Sequence, residues 1–223
     1  MNAPSTIASY SQKNKIPLFL NENAQQISMI DYYQKCNSFI FQCSRKEKDS
    51  LIISSINQLY QFNKLTQKEN SQLRLFFKAK TGNDNFLNKT IVINHQNELK
   101  GYNETIKNFN KKHHSSFDKK TYDKRNKNKD LYKKKCNEKI SKLAAVSINT
   151  YYKNSGYTFI PQNYKWIKAK FLKSVFFNKR PGIIVLKPNG EYFLNQGYMF
   201  NDYITKLISN DNWESYKKEY IIS

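Results

Sequence analysis

Residues 107–135 hold twelve Lys or Arg and three Asp, and almost no aliphatic side chain. Such a stretch cannot supply a core face of its own, so the fold must be built by the segments on either side of it. In isolation the block is expected as an extended arm or an exposed helix. The chain has 223 residues, enough for one domain or two with a real core. At 39% hydrophobic and 15% aromatic it is too apolar to be wholly disordered. Its longest apolar runs, such as Ile16–Leu20 and Gly182–Leu186, fall far short of the ~18 residues a spanning helix needs.

The formal net charge is +21, and its distribution separates composition from selection. Arg occurs only at Arg45, Arg74, Arg125 and Arg180, while Lys, Asn, Ile, Tyr and Phe total 114 residues. Those five have codons rich in A and T, so an AT-rich gene is expected and part of the lysine excess is mutational. Drift of that kind spreads lysine evenly. Here residues 107–190 hold 22 basic and 4 acidic side chains, net +18, against +5 for 1–106 and −2 for 191–223. No acid occurs from Lys139 to Gly190. A polyanionic partner accounts for that localisation, and nucleic acid is the expected one.

The pattern along the chain predicts an α+β fold: an N-terminal helical hairpin, a central basic arm or helix, and a C-terminal small β-hairpin region with a terminal amphipathic helix. Residues 1–15 read as a flexible tail without a secretory or transit signal, 16–106 as a mainly helical region, 107–139 as the basic arm, and 140–223 as an α+β region. A helix is expected over Asn21–Cys36 and a short strand over Ser38–Cys43. Asp49 or Ser50 is expected to cap a helix with Ile52, Ile56, Leu59 and Tyr60 on one face. Thr66 and Glu69 spell a capping box for a second helix carrying Leu73, Phe76, Phe77 and Lys80. A strand is expected over Phe86–Asn94, a helix over Asn128–Lys153 ended by Gly156, and a strand over Tyr157–Ile160. The segment Tyr164–Phe177 fits neither period. Pro188-Asn189-Gly190 between two apolar runs predicts a tight hairpin, and Met199–Ile208 an amphipathic helix.

The inventory for catalysis is thin. His113 and His114 sit in the basic block with nothing to orient a ring, and Asp118 and Asp123 read as charge relief among lysines. Cys36, Cys43 and Cys136 spell no zinc site, and an odd number of cysteines suggests free thiols in a reducing compartment. The six glycines form no phosphate-cradling loop. No catalytic residue, metal or cofactor is expected, and the chain is read as a non-enzyme.

What remains is lysine interleaved with aromatics. The expected RNA contacts are Lys111, Lys112, Lys119, Lys120, Lys124, Arg125, Lys127, Lys133, Lys134 and Lys135 in the block, then Lys165, Lys168, Lys170, Lys173, Lys179 and Arg180 beyond it. Lysines meet phosphates without reading sequence, and Arg forks that read guanine edges are nearly missing. Most rings in this stretch are expected in the core, with Tyr152, Tyr164 and Trp166 as the candidates for base stacking.

The stretch from Ile167 to Leu207 resembles the ribosomal small-subunit protein nineteen family. Ile167-Lys168 and Lys173-Ser174 fall on that family's Ile-Lys-Thr-Trp-Ser-Arg-Arg-Ser motif, Gly182 on its glycine, Asn189-Gly190 on its hairpin, and Lys206-Leu207 on its closing Lys-Leu. The family's Trp position holds Lys170, and the closing segment lacks the glycines, His and Glu-Phe. The resemblance implies a head protein of the small subunit that binds ribosomal RNA, adds Ser174 and Lys206 to the contact set, and makes 22–160 largely an extension. The function expected is thus a structural RNA-binding component of a mitochondrial ribosome, encoded in the organelle, with ribosomal RNA and ribosomal proteins as partners. The competing readings are a cytoskeletal or assembly protein docking on an acidic surface such as a microtubule, and a DNA-binding protein.

Overall fold

The computed structural model describes residues 15–37, 41–110, 117–176, 182–196, 201–210 and 212–221. The chain divides into two compact units, residues 1–58 and residues 59–222.

The first unit is a small sheet with one helix. Strands β1 (Ile16–Leu20), β2 (Phe41–Lys48) and β3 (Leu51–Gln58) run in the order β1-β3-β2, and helix α1 spans Met29–Cys36. The helix expected from Asp49 or Ser50 is a strand. Asp49 takes a positive φ of 49° and turns the chain so that Lys48 pairs with Leu51 across an antiparallel hairpin. Leu51, Ile52, Ile53 and Ile56 fit either period on spacing alone, and the β-branching of the three isoleucines favours the extended form. The expected N-terminal helical hairpin is therefore absent, and 16–58 is mainly strand. The helix expected over 21–36 shortens to α1, because Ser28 accepts from the Asp31 amide and fixes its start. Cys36 and Cys43 form a disulfide with Cα atoms 5.7 Å apart, which overturns the expectation of free thiols for that pair; Cys136 is free and buried. The expected strand over 38–43 begins outside the described residues and continues as β2.

The second unit is a three-layer α/β arrangement. Its elements are β4 (Tyr60–Lys64), α2 (Gln67–Thr81), α3 (Asn85–Asn88), β5 (Ile91–Lys100), α4 (Tyr102–Asn110), α5 (Lys119–Lys142), β6 (Val146–Ser155), β7 (Trp166–Lys168), α6 (Leu172–Val175), β8 (Gly182–Leu186), β9 (Glu191–Asn195), α7 (Asn201–Ser209) and α8 (Glu214–Ile221). The sheet order is β4-β9-β8-β5-β6-β7, with β5-β6-β7 parallel and the other pairs antiparallel. Alternation along β5 sends Ile91 and Ile93 to one face and Val92 to the other. On the first face they pack with Leu73, Phe77, Phe86 and Leu172 from α2, α3 and α6. On the second, Val92 packs with Ile140 of α5, with Ile204 and Leu207 of α7, and with Trp213. The expected small C-terminal hairpin is therefore no separate region: β8 and β9 lie inside the sheet, beside its central strand.

Local sequence explains where the elements begin and end. The Thr66–Glu69 capping box is present on both sides, and Gly82 at φ 71° ends α2 in the left-handed region. The helix expected over 128–153 breaks after Lys142, where Ala144 takes a φ of 53°. Beyond it Val146, Ile148 and Thr150 continue as strand β6, so Ser147, Ile148 and Tyr151 leave the helix face expected of them. Tyr157–Ile160 is coil with Ile160 84% exposed, not strand. The stretch without a clear period contains both β7 and α6. Strand β5 starts later than expected because α3 occupies 85–88.

Arg74 ties several of these pieces together. It is 4% exposed, and its guanidinium donates to Asn70 Oδ1 (2.9 Å) and to the carbonyls of Phe86 (2.9 Å), Lys89 (2.8 Å) and Lys187 (2.7 Å). Asn70 Nδ2 in turn donates to Pro188 O. One side chain thus joins α2, α3 and the β8–β9 turn.

Candidate nucleic-acid interface

Helix α5 carries the basic block, and its sequence explains why it forms without an aliphatic stripe. Asp118 caps it by accepting from the Thr121 amide at 2.7 Å, and Lys119 pairs with Asp123 at 2.6 Å. The sheet-facing side is made of Tyr122, Asn126, Asp130, Cys136 and Ile140. Polar members of that side bond to the fold. Tyr122 Oη donates to Lys100 O, and the Asp130 carboxylate accepts from the Gln162 and Asn163 amides and from Asn163 Nδ2. The basic arm expected to lack a core face therefore has one, assembled from aromatic, amide and thiol groups. Asp118 and Asp123 do relieve charge, but Asp118 does so as a cap.

The opposite side of α5 presents Lys120, Lys124, Lys127, Lys134, Lys135, Lys139 and Lys142, all exposed, with Glu138 as the acid among them. Spacings of three and four place them on one stripe, roughly 35 Å long at 1.5 Å per residue. Lys120, Lys124, Lys127, Lys134 and Lys135 make no ion pair with a described residue. Lys119 is committed to Asp123, and Arg125 lies over the Phe117 ring at 4.6 Å. Lys133 turns inward instead of joining the stripe. Burial pushes its ammonium down to about 8, helped by the nearby charge of Lys129, while Cys136 acts the other way. Lys129 is also lowered by desolvation, although its side chain as a whole is exposed.

The remaining expected contacts are spread over other elements. Lys165 precedes β7, Lys168 ends that edge strand and Lys170 follows it, all exposed. Lys173 of α6 sits 4.9 Å over the Tyr152 ring, so this lysine and this half-buried aromatic engage each other. Ser174 Oγ donates to Phe171 O at 2.7 Å. Lys206 is exposed on α7, which packs beside α5. Because α6 and α5 cover opposite faces of the sheet, the structure does not gather these residues into one patch with the helix stripe. Lys111, Lys112, Lys179 and Arg180 lie outside the described residues, as do His113 and His114.

Of the three rings expected to meet bases, Tyr164 belongs to the core. It is 8% exposed, burial pushes its phenol pKa up, and its ring meets Trp166 edge-on at 5.5 Å. Trp166 is half-buried and forms a wall between two recesses. One of these, about 460 Å³, opens at the carboxyl end of β5 and also includes Phe117, Tyr122, Asn126 and Tyr157. Sequence reading missed Tyr122, Asn126 and Tyr157. The first two carried a signal, since Tyr122, Asn126, Asp130 and Lys133 recur at three and four residues as a polar inward face. For Tyr157 the signal was local, since Asn154 three residues earlier accepts from its amide and donates to its carbonyl.

Among the described residues, no group of three His, Cys, Asp or Glu is placed to hold a metal ion. No helix among them is long and apolar enough to cross a membrane. No family model matches the chain, and no curated protein or solved structure is found similar to it.

Proposed function

We propose that the chain is a structural RNA-binding protein, a small-subunit component of a mitochondrial ribosome that meets ribosomal RNA through its basic middle. The observation that carries the reading is the outer side of α5, where Lys120, Lys124, Lys127, Lys134 and Lys135 are exposed and make no ion pair with a described residue, on a helix whose other side is anchored to the sheet. A rigid rod of ammonium groups suits a phosphate backbone, because each neutralised phosphate releases counterions. Scarcity of arginine favours recognition of shape and backbone over base edges. The resemblance of 167–207 to the small-subunit protein nineteen family supplies the ribosomal part of the reading. In keeping with that role the chain works as a scaffold and not as an enzyme.

The test is a salt titration of the full chain on ribosomal RNA. With about six phosphates neutralised, affinity falls on the order of a thousandfold between 50 and 200 mM salt. Replacing Lys120, Lys124, Lys127 and Lys134 with Ala lowers the salt slope by about three and leaves the circular dichroism spectrum unchanged. This set is preferable to one containing Lys119 or Arg125, which have partners within the fold. A flat salt response refutes the reading. Retained binding to an acidic protein polymer with none to RNA does the same.

A further inference from the structure

The recess at the carboxyl end of β5 is built for more than charge. Its volume of about 460 Å³ falls within the usual range for ligand sites, roughly 300–1,000 Å³. It lies just beyond the carboxyl end of a strand in a sheet where β6 runs parallel to β5 and β8 antiparallel, the kind of place where open α/β sheets bind ligands. Half-buried Tyr157 and Trp166 contribute aromatic surface on one side, and Phe117 and Tyr122 on the other. Asn126, itself 9% exposed, lines it with a buried Nδ2 that has no hydrogen-bond partner among the described residues. Tyr164 Oη and Trp166 Nε1 are also buried without a bond of proper geometry, although both lie close enough to Tyr157 to act on the titration of its phenol.

Charge distinguishes what enters from what stays outside. Glu98 lines the recess, its carboxylate held by Ser155, Lys153 and Lys100, and an anion placed inside would meet it. Arg125 and Lys129 add positive charge on the α5 wall. A neutral planar group that accepts hydrogen bonds, carried on a phosphate chain, matches that arrangement.

We propose that the recess receives one unstacked nucleobase of the bound RNA, its ring against Tyr157 and Trp166 and its flanking phosphates at Arg125 and Lys129. The inference rests on the RNA-binding reading above and adds that unpaired bases are bound as well as backbone. Asn126 Nδ2 is the donor that meets an acceptor on the base edge.

The experiment compares two RNA hairpins that differ by a single bulged nucleotide, each titrated against the full chain. Tryptophan emission follows the site, because Trp213, the other indole, is buried and bonded to Leu207 O. The bulged hairpin binds on the order of tenfold tighter, as expected for one base stacked on aromatic rings, and it alone quenches the emission. Asn126→Leu and, separately, Tyr157→Leu abolish that preference and leave affinity for the paired hairpin unchanged. Asn126→Leu does not lower the melting temperature, since it removes an unpaired buried amide. Equal binding of the two hairpins overturns the base site and leaves backbone binding standing. No binding of either at low salt overturns the RNA reading itself. Quenching by free mononucleotides with neither hairpin bound likewise overturns the proposal, placing the base chemistry with a free nucleotide.

Discussion

Arg74 is the residue whose replacement most directly tests how the second unit is held together. Its guanidinium satisfies three carbonyls from α3, the α3–β5 link and the β8–β9 turn, and it has no carboxylate partner among the described residues. Truncation to Met fills similar volume but leaves those three carbonyls without their donor. Each orphaned buried acceptor costs about 1–3 kcal/mol, which sums to roughly 3–9 kcal/mol. Against this stands relief from a buried cation, whose desolvation is what lowers the Arg74 pKa. The net expectation is a loss of about 3 kcal/mol, a large share of the roughly 5–15 kcal/mol by which domains are stable.

In a unit of this size that loss lowers Tm by roughly 6–12 °C. Urea unfolding followed by far-ultraviolet circular dichroism measures it as a reduced midpoint at unchanged slope. Arg74→Lys is expected to be at least as damaging as Arg74→Met. The ammonium keeps a buried charge and has no planar fork to span the carbonyls. A midpoint for Arg74→Met within about 1 kcal/mol of the natural protein, or a Lys variant clearly milder than the Met variant, refutes the reasoning.

His95 is fully buried beside Thr150 Oγ1, and burial lowers its pKa to about 4, against an ordinary 6.5. The unfolded chain therefore takes up the proton first, and stability falls by up to about 3 kcal/mol as pH drops from 6.5 to 4; His95→Asn flattens that part of the curve relative to the natural protein. Lys133 has the same sense in a higher pH window: its penalty is fully present below about pH 8 and is relieved as pH rises toward 10.5. Lys133→Met raises stability by about 1–2 kcal/mol at pH 7, discounted for its partial exposure, and the gain vanishes near pH 10.5 in matched urea melts. A Cβ on Gly101 would fall on the Gly156 carbonyl, so Gly101→Ala separates the end of β5 from the end of β6 and lowers Tm by several degrees in calorimetry. Lys124→Gln weakens RNA binding in a filter assay and raises the stability of the free protein by about 0.4–1 kcal/mol, because Lys120 and Lys127 lie one turn away on either side.

Signals confined to a few consecutive residues were legible in the sequence. The Thr66–Glu69 box and the turn at Pro188–Gly190 each rest on a residue type with one strong conformational preference, and both stand where the sequence places them. Spacing alone failed where two periods fit the same residues. Ile52 and Ile56 satisfy a helix face with Leu59 and Tyr60, yet Asp49 at positive φ and pairing with β2 commit them to a strand. Periodicity across Ala144 likewise joined α5 to β6, and only a left-handed residue separates them. The inner face of α5 is periodic but not aliphatic: Asn126 and Asp130 count as polar in any hydrophobic pattern, and the bonds that hold Asp130 come from a loop some thirty residues later. The recess was beyond reach as well, since residues 96–100, 117–129 and 157–166 are distant in sequence and meet only in the folded chain.

The structure also changes what the charge means energetically. Lys120 with Lys124, Lys124 with Lys127, Lys135 with Lys139, and Lys139 with Lys142 are like-charged neighbours one turn apart, each unfavourable by about 0.2–0.5 kcal/mol in an isolated helix. The stripe as a whole opposes the helix that carries it. Asp118, Tyr122, Asp130 and Ile140 hold α5 in place from the other side. A solvated face with no partner has no reason to keep that repulsion, and neutral or alternating charges would stabilise the same helix. A polyanion reverses the sign, because each ammonium that repels its neighbours in the free protein attracts phosphate in the complex. Loss of binding together with gain of stability is therefore the signature that separates a binding surface from lysine accumulated by composition, for which both effects would be near zero.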